Sequence, residues 1–120
     1  MIVDDNASIR AALCELFSSQ ADFAVCGEAE NGQEAIERAQ ELRPDLIVMD
    51  ISMPVMNGLD AARMLRQMMP TLPMIMFSAY ADEFTKREVR LAGGSALISK
   101  SENLSVLVGQ ARALLERPAA

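Results

Sequence analysis

Five short apolar runs alternate with five segments whose apolar residues recur every three or four positions, and this alternation restricts the fold more than any other feature. The runs are short and rich in Ile, Val, Leu and Met, as expected of buried strands. Strands are predicted over about residues 1–3, 23–29, 45–49, 73–77 and 95–98, and helices over about 7–19, 32–42, 58–69, 82–92 and 103–116. The helical stripes are explicit: Ile9, Leu13, Leu16 and Phe17; Ala35, Ile36, Ala39 and Leu42; and Leu104, Leu107, Val108, Ala111, Leu114 and Leu115. Turn chemistry agrees. Pro44 and Pro73 precede strands, and Asn31-Gly32 and Asn57-Gly58 precede helices. Regular alternation implies a parallel sheet with helices on both faces. Within the helix over 82–92, the stretch Asp82 to Arg90 carries only Phe84 and Val89 as sizeable apolar residues, so this helix is expected to be the most mobile element.

Strand C-terminal ends converge on one rim of such a sheet, and ligands bind there. Asp4 and Asp5 follow Ile2-Val3, Asp50 follows Leu46-Ile47-Val48-Met49, Ser78 follows Met74-Ile75-Met76-Phe77, and Lys100 follows Ala96-Leu97-Ile98-Ser99. Three carboxylates, a hydroxyl and an ammonium are therefore expected at a common edge. Two bare charges about 4 Å apart repel by on the order of 4 kcal/mol at an effective dielectric of about 20. A domain's whole stability is only about 5–15 kcal/mol. A divalent cation would remove that repulsion, and Mg²⁺ prefers one or two carboxylates, waters and a phosphate oxygen. Asp50 then becomes a candidate nucleophile toward phosphorus, giving an aspartyl phosphate. Lys100 would neutralise the phosphoryl oxygens, while the Ser78 hydroxyl and the Ala79 amide can donate to them.

Bulk properties narrow the alternatives. The chain has 120 residues, 51 % of them apolar and 23 % charged, which suits one domain with a real core. The expected division is a domain over 1–116 and a linker-like tail over 117–120. A net charge of −6 disfavours nucleic acid as a direct partner. No apolar stretch approaches the roughly 20 residues that span a bilayer, and no secretory signal opens the chain, so the cytoplasm is the expected location. Histidine is absent, which removes imidazole catalysis. Cys14 and Cys26 are expected as reduced core residues, the second on a strand.

Ile-Val-Asp-Asp-Asn at 2–6, Val-Met-Asp-Ile-Ser-Met-Pro-Val-Met-Asn-Gly at 48–58, Phe-Ser-Ala at 77–79 and Ala-Gly-Gly through Lys100 at 92–100 together resemble the receiver domain of bacterial response regulators. The resemblance covers nearly the whole chain. It implies a flavodoxin-like, doubly wound α/β fold: five parallel strands in the order 2-1-3-4-5 with five helices. It implies Asp50 as phosphoacceptor, charged by a sensor histidine kinase. It implies Mg²⁺ held by Asp5, Asp50 and the Ser52 backbone carbonyl, with Asp4 acting through water. Ser78 would move onto the phosphoryl group and Lys100 would pair with it, while Ser52 and Tyr80 would border the site. The product would be a signalling switch rather than an enzyme, read out on the face of the fourth helix, fifth strand and fifth helix. That face, or that of the first and fifth helices, would serve a homodimer or an output domain outside this chain.

Two positions depart from the family pattern. Leu97 stands where many receivers carry Tyr or Phe, and Ser101 stands where many carry Pro after the lysine. Two other functions compete. A degenerate receiver would act only as an interaction module. A Mg²⁺-dependent phosphohydrolase with an aspartate nucleophile would want a second acid two residues beyond it, where this chain has Ser52.

Overall fold

In a computed structural model that describes residues 1–116, the chain alternates strand and helix five times. The elements are β1 (Ile2–Val3), α1 (Ala7–Ser18), β2 (Glu28–Ala29), α2 (Gly32–Leu42), β3 (Ile47–Asp50), α3 (Gly58–Met68), β4 (Met74–Ser78), α4 (Glu83–Ala92), β5 (Ala96–Ser99) and α5 (Leu104–Glu116). All strand pairs are parallel and the order is β2-β1-β3-β4-β5, the flavodoxin-like arrangement expected. The tail expected over 117–120 lies outside the described residues.

Strand alternation divides the apolar residues between two cores. Val3, Ile47, Met49, Met74 and Met76 face one cluster with Ala35, Ala39, Ala61 and Leu65 of α2 and α3. Ile2, Val48, Ile75, Phe77 and Ile98 face the other with Leu13, Phe17, Leu107 and Ala111 of α1 and α5. Leu65 and Leu107 are fully buried, one in each layer, and each contributes about 1.5–3 kcal/mol by burial. Asparagine side chains start four helices, Asn103 at α5 among them, where its Oδ1 accepts from Ser105 N–H. Asn6 accepts from Ser8 and Ile9 N–H, Asn31 from Glu34 N–H, and Asn57 from Asp60 N–H. Asp82 caps α4 in the same way through Thr85 N–H, so Ser78 is not a helix cap.

Three expectations are corrected. The second strand was predicted over 23–29, yet only Glu28 and Ala29 pair. β1 offers just Ile2 and Val3 to the ladder, so Phe23, Ala24 and Val25 find no partner. They line a cavity of about 450 Å³ with Met1, Phe17 and Leu46, remote from the acidic rim. Cys26 consequently lies off the strand and exposed, not in the core, while Cys14 stays half-buried against the α1–α5 layer. Phe84 does not anchor α4. It is 69 % exposed, and only Val89 and Ala92 of that helix are buried.

The connection from β3 to α3 is shaped by close approaches. A Cβ on Gly58 would stand 2.1 Å from the Asp50 carbonyl oxygen, so only glycine lets α3 start against the end of β3. Gly58 N–H donates to Ile51 O at 2.8 Å. Between them, Met56 N–H donates to Pro54 O at 2.7 Å and Val55 adopts φ +69°. A β-branched residue in that region is strained by about 1–3 kcal/mol, and the Val55 side chain is exposed, so packing does not offset the strain.

Candidate functional site

The chain reverses at the C-terminal ends of β1, β3, β4 and β5, and residues at or just beyond those ends meet in one cleft of about 280 Å³. Asp4, Asp5, Asp50, Ser52, Ser78, Ala79, Tyr80 and Lys100 all line it. These are the residues singled out in the sequence, Leu97 excepted. Leu97 pairs in register with Met76 and packs against the α2–α3 core instead. The Lys100–Ser101 bond is trans, since no cis peptide bond occurs among the described residues.

Asp4 and Asp50 are buried, with Asp4 wholly excluded from solvent, and Asp5 is exposed. One carboxylate oxygen from each of the three lies within 4.8 Å of the others. Lys100 Nζ stands 3.3 Å from Asp50 Oδ1 and 3.5 Å from Asp4 Oδ2. It also lies 5.7 Å from the centre of the Phe77 ring, whose π face favours a cation. One ammonium thus serves two buried carboxylates, which leaves the cluster negative. Burial pushes the Asp50 carboxyl above its ordinary range, and the neighbouring Asp4 charge adds to this. Lys100 and the Ser52 backbone N–H oppose the shift without cancelling it.

Asp4 is held on nearly every side. Its N–H donates to Ala29 O at 3.1 Å, and its Oδ1 accepts from Asn6 N–H at 2.9 Å. Its Oδ2 is buried without a hydrogen bond, with only the longer Lys100 contact nearby. Buried polar atoms are ordinarily satisfied, so an orphaned oxygen on a carboxylate clustered with two others suits a cation or its water. The donors are all oxygens, which suits a hard ion such as Mg²⁺.

Ser78 Oγ accepts from Tyr80 N–H at 3.1 Å. The hydroxyl therefore belongs to the turn that leaves β4, and its own hydrogen is free for another acceptor. Tyr80 is 73 % exposed at the mouth of the cleft. One participant was not read from the sequence. Arg10 Nη1 donates to Asp4 O at 2.8 Å, and its Nε donates to Glu28 Oε1 at 3.1 Å. On a helix otherwise read for its apolar stripe, Arg10 carries no signal beyond that of a surface cation.

Comparison with known proteins agrees with this geometry. Residues 1–112 match the family described as the response regulator receiver domain. A protein-glutamate methylesterase/protein-glutamine glutaminase of Methanosarcina acetivorans is 40 % identical over 105 residues, 86 % of this chain and 30 % of that protein. The corresponding protein of Pyrococcus horikoshii is 46 % identical over 83 residues, 69 % of this chain and 22 % of its own length. The chain thus spans less than a third of these relatives. Among solved structures, the response regulator domain of Thermotoga maritima CheB superposes with a TM-score of 0.91 at 32 % identity, covering 98 % of this chain and 96 % of that one. Vibrio cholerae chemotaxis protein CheY4 superposes with a TM-score of 0.86 at 28 % identity, covering 94 % of each. By sequence over nearly its full length and by topology, the chain belongs to the response regulator receiver domain family.

Proposed function

We propose that this domain is a phosphorylation switch in which Asp50 accepts a phosphoryl group from a phosphohistidine of a sensor kinase. An Asp50 carboxylate oxygen forms the new bond to phosphorus, the P–N bond breaks, and the imidazole leaves and takes up a proton. Asp5, Asp50 and the Ser52 carbonyl would hold Mg²⁺, with Asp4 acting through water. The ion supplies positive charge to the phosphoryl oxygens. Lys100, already 3.3 Å from Asp50, neutralises a second side of the group. The observation that carries this reading is the pairing of a buried Asp50 with an orphaned Asp4 Oδ2 around a single ammonium.

Phosphorylation adds about −1.5 to −2 charges. The Ser78 hydroxyl is drawn to the new oxygens and the segment from Ala79 through α4 repacks, biasing a two-state equilibrium. The readout face is α4, β5 and α5. Its exposed Phe84, Leu91 and Val106 offer apolar area to a second copy of the chain or to an output domain. The folding unit is residues 1–116. The domain regulates rather than catalyses, beyond slow loss of its own phosphate, and works in the cytoplasm without contacting nucleic acid. No helix among the described residues is long and apolar enough to cross a membrane.

Intact-mass measurement after incubation with Mg²⁺ and a small phosphodonor tests the assignment. One base-labile phosphoryl adduct is expected, absent in Asp50→Asn and absent with chelator. An adduct that survives in Asp50→Asn places the acceptor elsewhere. Steady multiple turnover of a phosphate ester would instead make the domain a phosphohydrolase.

A further inference from the structure

The hydrogen bonds around Asp4 close into a ring that the phosphoryl-transfer reading does not use. Asp4 N–H donates to Ala29 O. The residue before Ala29 is Glu28, whose carboxylate accepts from Arg10 Nε at 3.1 Å. Arg10 Nη1 then returns to Asp4 O at 2.8 Å. Arg10 is the only side chain in the ring that contacts Asp4, and it does so from α1, across the turn that carries Asp5. With Asn6 N–H on Oδ1, every polar atom of Asp4 but Oδ2 has a hydrogen-bond partner. Rotation of the Asp4 peptide is therefore opposed, and the Asp4 carboxylate is kept in the cluster it forms with Asp5 and Asp50.

The charge of Arg10 matters as much as its reach. Its side chain is only 17 % exposed and reaches the backbone carbonyl of Asp4, one of three clustered residues whose carboxylates a guanidinium can bind in bidentate fashion. Collapse onto them would fill the place of a metal. Glu28 offers a competing carboxylate on the far side and occupies Nε, so the cation spends its donors on a backbone carbonyl and on Glu28.

We infer that Arg10 is a positioning residue for the cation site: tethered by Glu28, it holds the Asp4–Asp5 turn so that Asp4 Oδ2 faces the ion. This rests on the phosphoacceptor reading above and adds a residue that touches neither metal nor phosphate. Groups that orient a metal's ligands commonly cost on the order of 10-fold in affinity when removed. Arg10→Met should therefore weaken Mg²⁺ binding, followed by calorimetry with the metal alone, by about 10-fold. The Mg²⁺ concentration giving half the maximal rate of phosphoryl uptake should rise in parallel, while the rate at saturating Mg²⁺ stays within about twofold. Arg10→Lys should restore part of the affinity, because one ammonium reaches the Asp4 carbonyl but cannot present the same two-acceptor fork. That variant also serves if Arg10→Met fails to fold. Mg²⁺ affinity within twofold of the parent in the folded variants overturns the inference, as does a lost maximal rate at unchanged affinity. Failure of the parent chain itself to bind Mg²⁺ removes the reading of the site, and this inference with it. Normal binding by the parent with unchanged binding by the variants removes the role of Arg10 alone.

Discussion

Asp50 is placed where a carboxylate is least comfortable without a partner. Its carboxyl is pushed upward by burial first and by Asp4 second, so the native state holds the Asp50 proton more tightly than the unfolded chain does. The sign follows. Stability from this group is complete below the ordinary carboxylate range of about pH 4 and is lost as pH rises through the elevated native value. At neutral pH the ionised group opposes folding. Asp50→Asn should therefore raise the metal-free melting temperature at pH 7. The gain should fade below about pH 4. Melting curves across pH 3 to 8, roughly the span over which carboxylates titrate, decide the matter. A less stable variant at pH 7, or a gain that grows toward acid, contradicts the account. Asp50 thus holds an unfavourable charge at the proposed phosphoacceptor position, and Val55 holds backbone strain in the next turn of chain.

The two helices of the proposed readout face are built differently. α5 buries Leu107, Val108 and Ala111 against the sheet, whereas α4 buries only Val89 and Ala92. The C-terminal end of α4 is held from α3. Arg66 Nε and Nη2 both donate to Gly93 O, at 3.0 and 2.6 Å, and Gly93 ends the helix with φ +93°. Its other end joins the Ser78–Tyr80 turn, where phosphoryl oxygens would act. A helix fixed at one end and thinly packed along its length suits a part that moves. Within α5, Gly109 is exposed, and a Cβ there would meet nothing within 4 Å. Glycine in a helix interior costs about 0.5–1 kcal/mol relative to alanine. Gly109→Ala should accordingly raise the unfolding free energy by that increment, seen as a higher urea midpoint with an unchanged slope. A loss of stability would mean that the residue serves a close approach not visible in the isolated domain.

Across the whole molecule, the sheet carries a core on each face and gathers its uncompensated charge at one rim. An ion that binds only the native arrangement stabilises all of it by mass action. At a Mg²⁺ concentration about 100 times the dissociation constant the expected gain is about 2.7 kcal/mol. That corresponds to a rise of roughly 10 °C in melting temperature for a domain of this size. The rise should vanish with chelator and shrink strongly in Asp5→Asn, which removes one of the three carboxylates. Equal stabilisation of the parent and of Asp5→Asn would show that the ion binds elsewhere.

Much of this was legible before any coordinates. Short β-branched runs and unbroken helical stripes defined the element order, because strand and helix periods differ and each exposes its own pattern of apolar residues. The acids, Ser78 and Lys100 were assignable to one rim because parallel strands all end on the same side. The chain's local pattern could not show what depends on contacts between distant segments. β2 shrank to Glu28 and Ala29 because a ladder needs a partner strand, and β1 is two residues long. Phe84 and Cys26 stand exposed because an apolar side chain is buried only when a neighbouring element covers it. Arg10 joined the site because α1 crosses above both Asp4 and Glu28, a juxtaposition of residues separated by 18 positions in the case of Glu28. Residue type and spacing therefore specified the elements and the chemistry available at their ends, and through-space packing chose which of those groups meet.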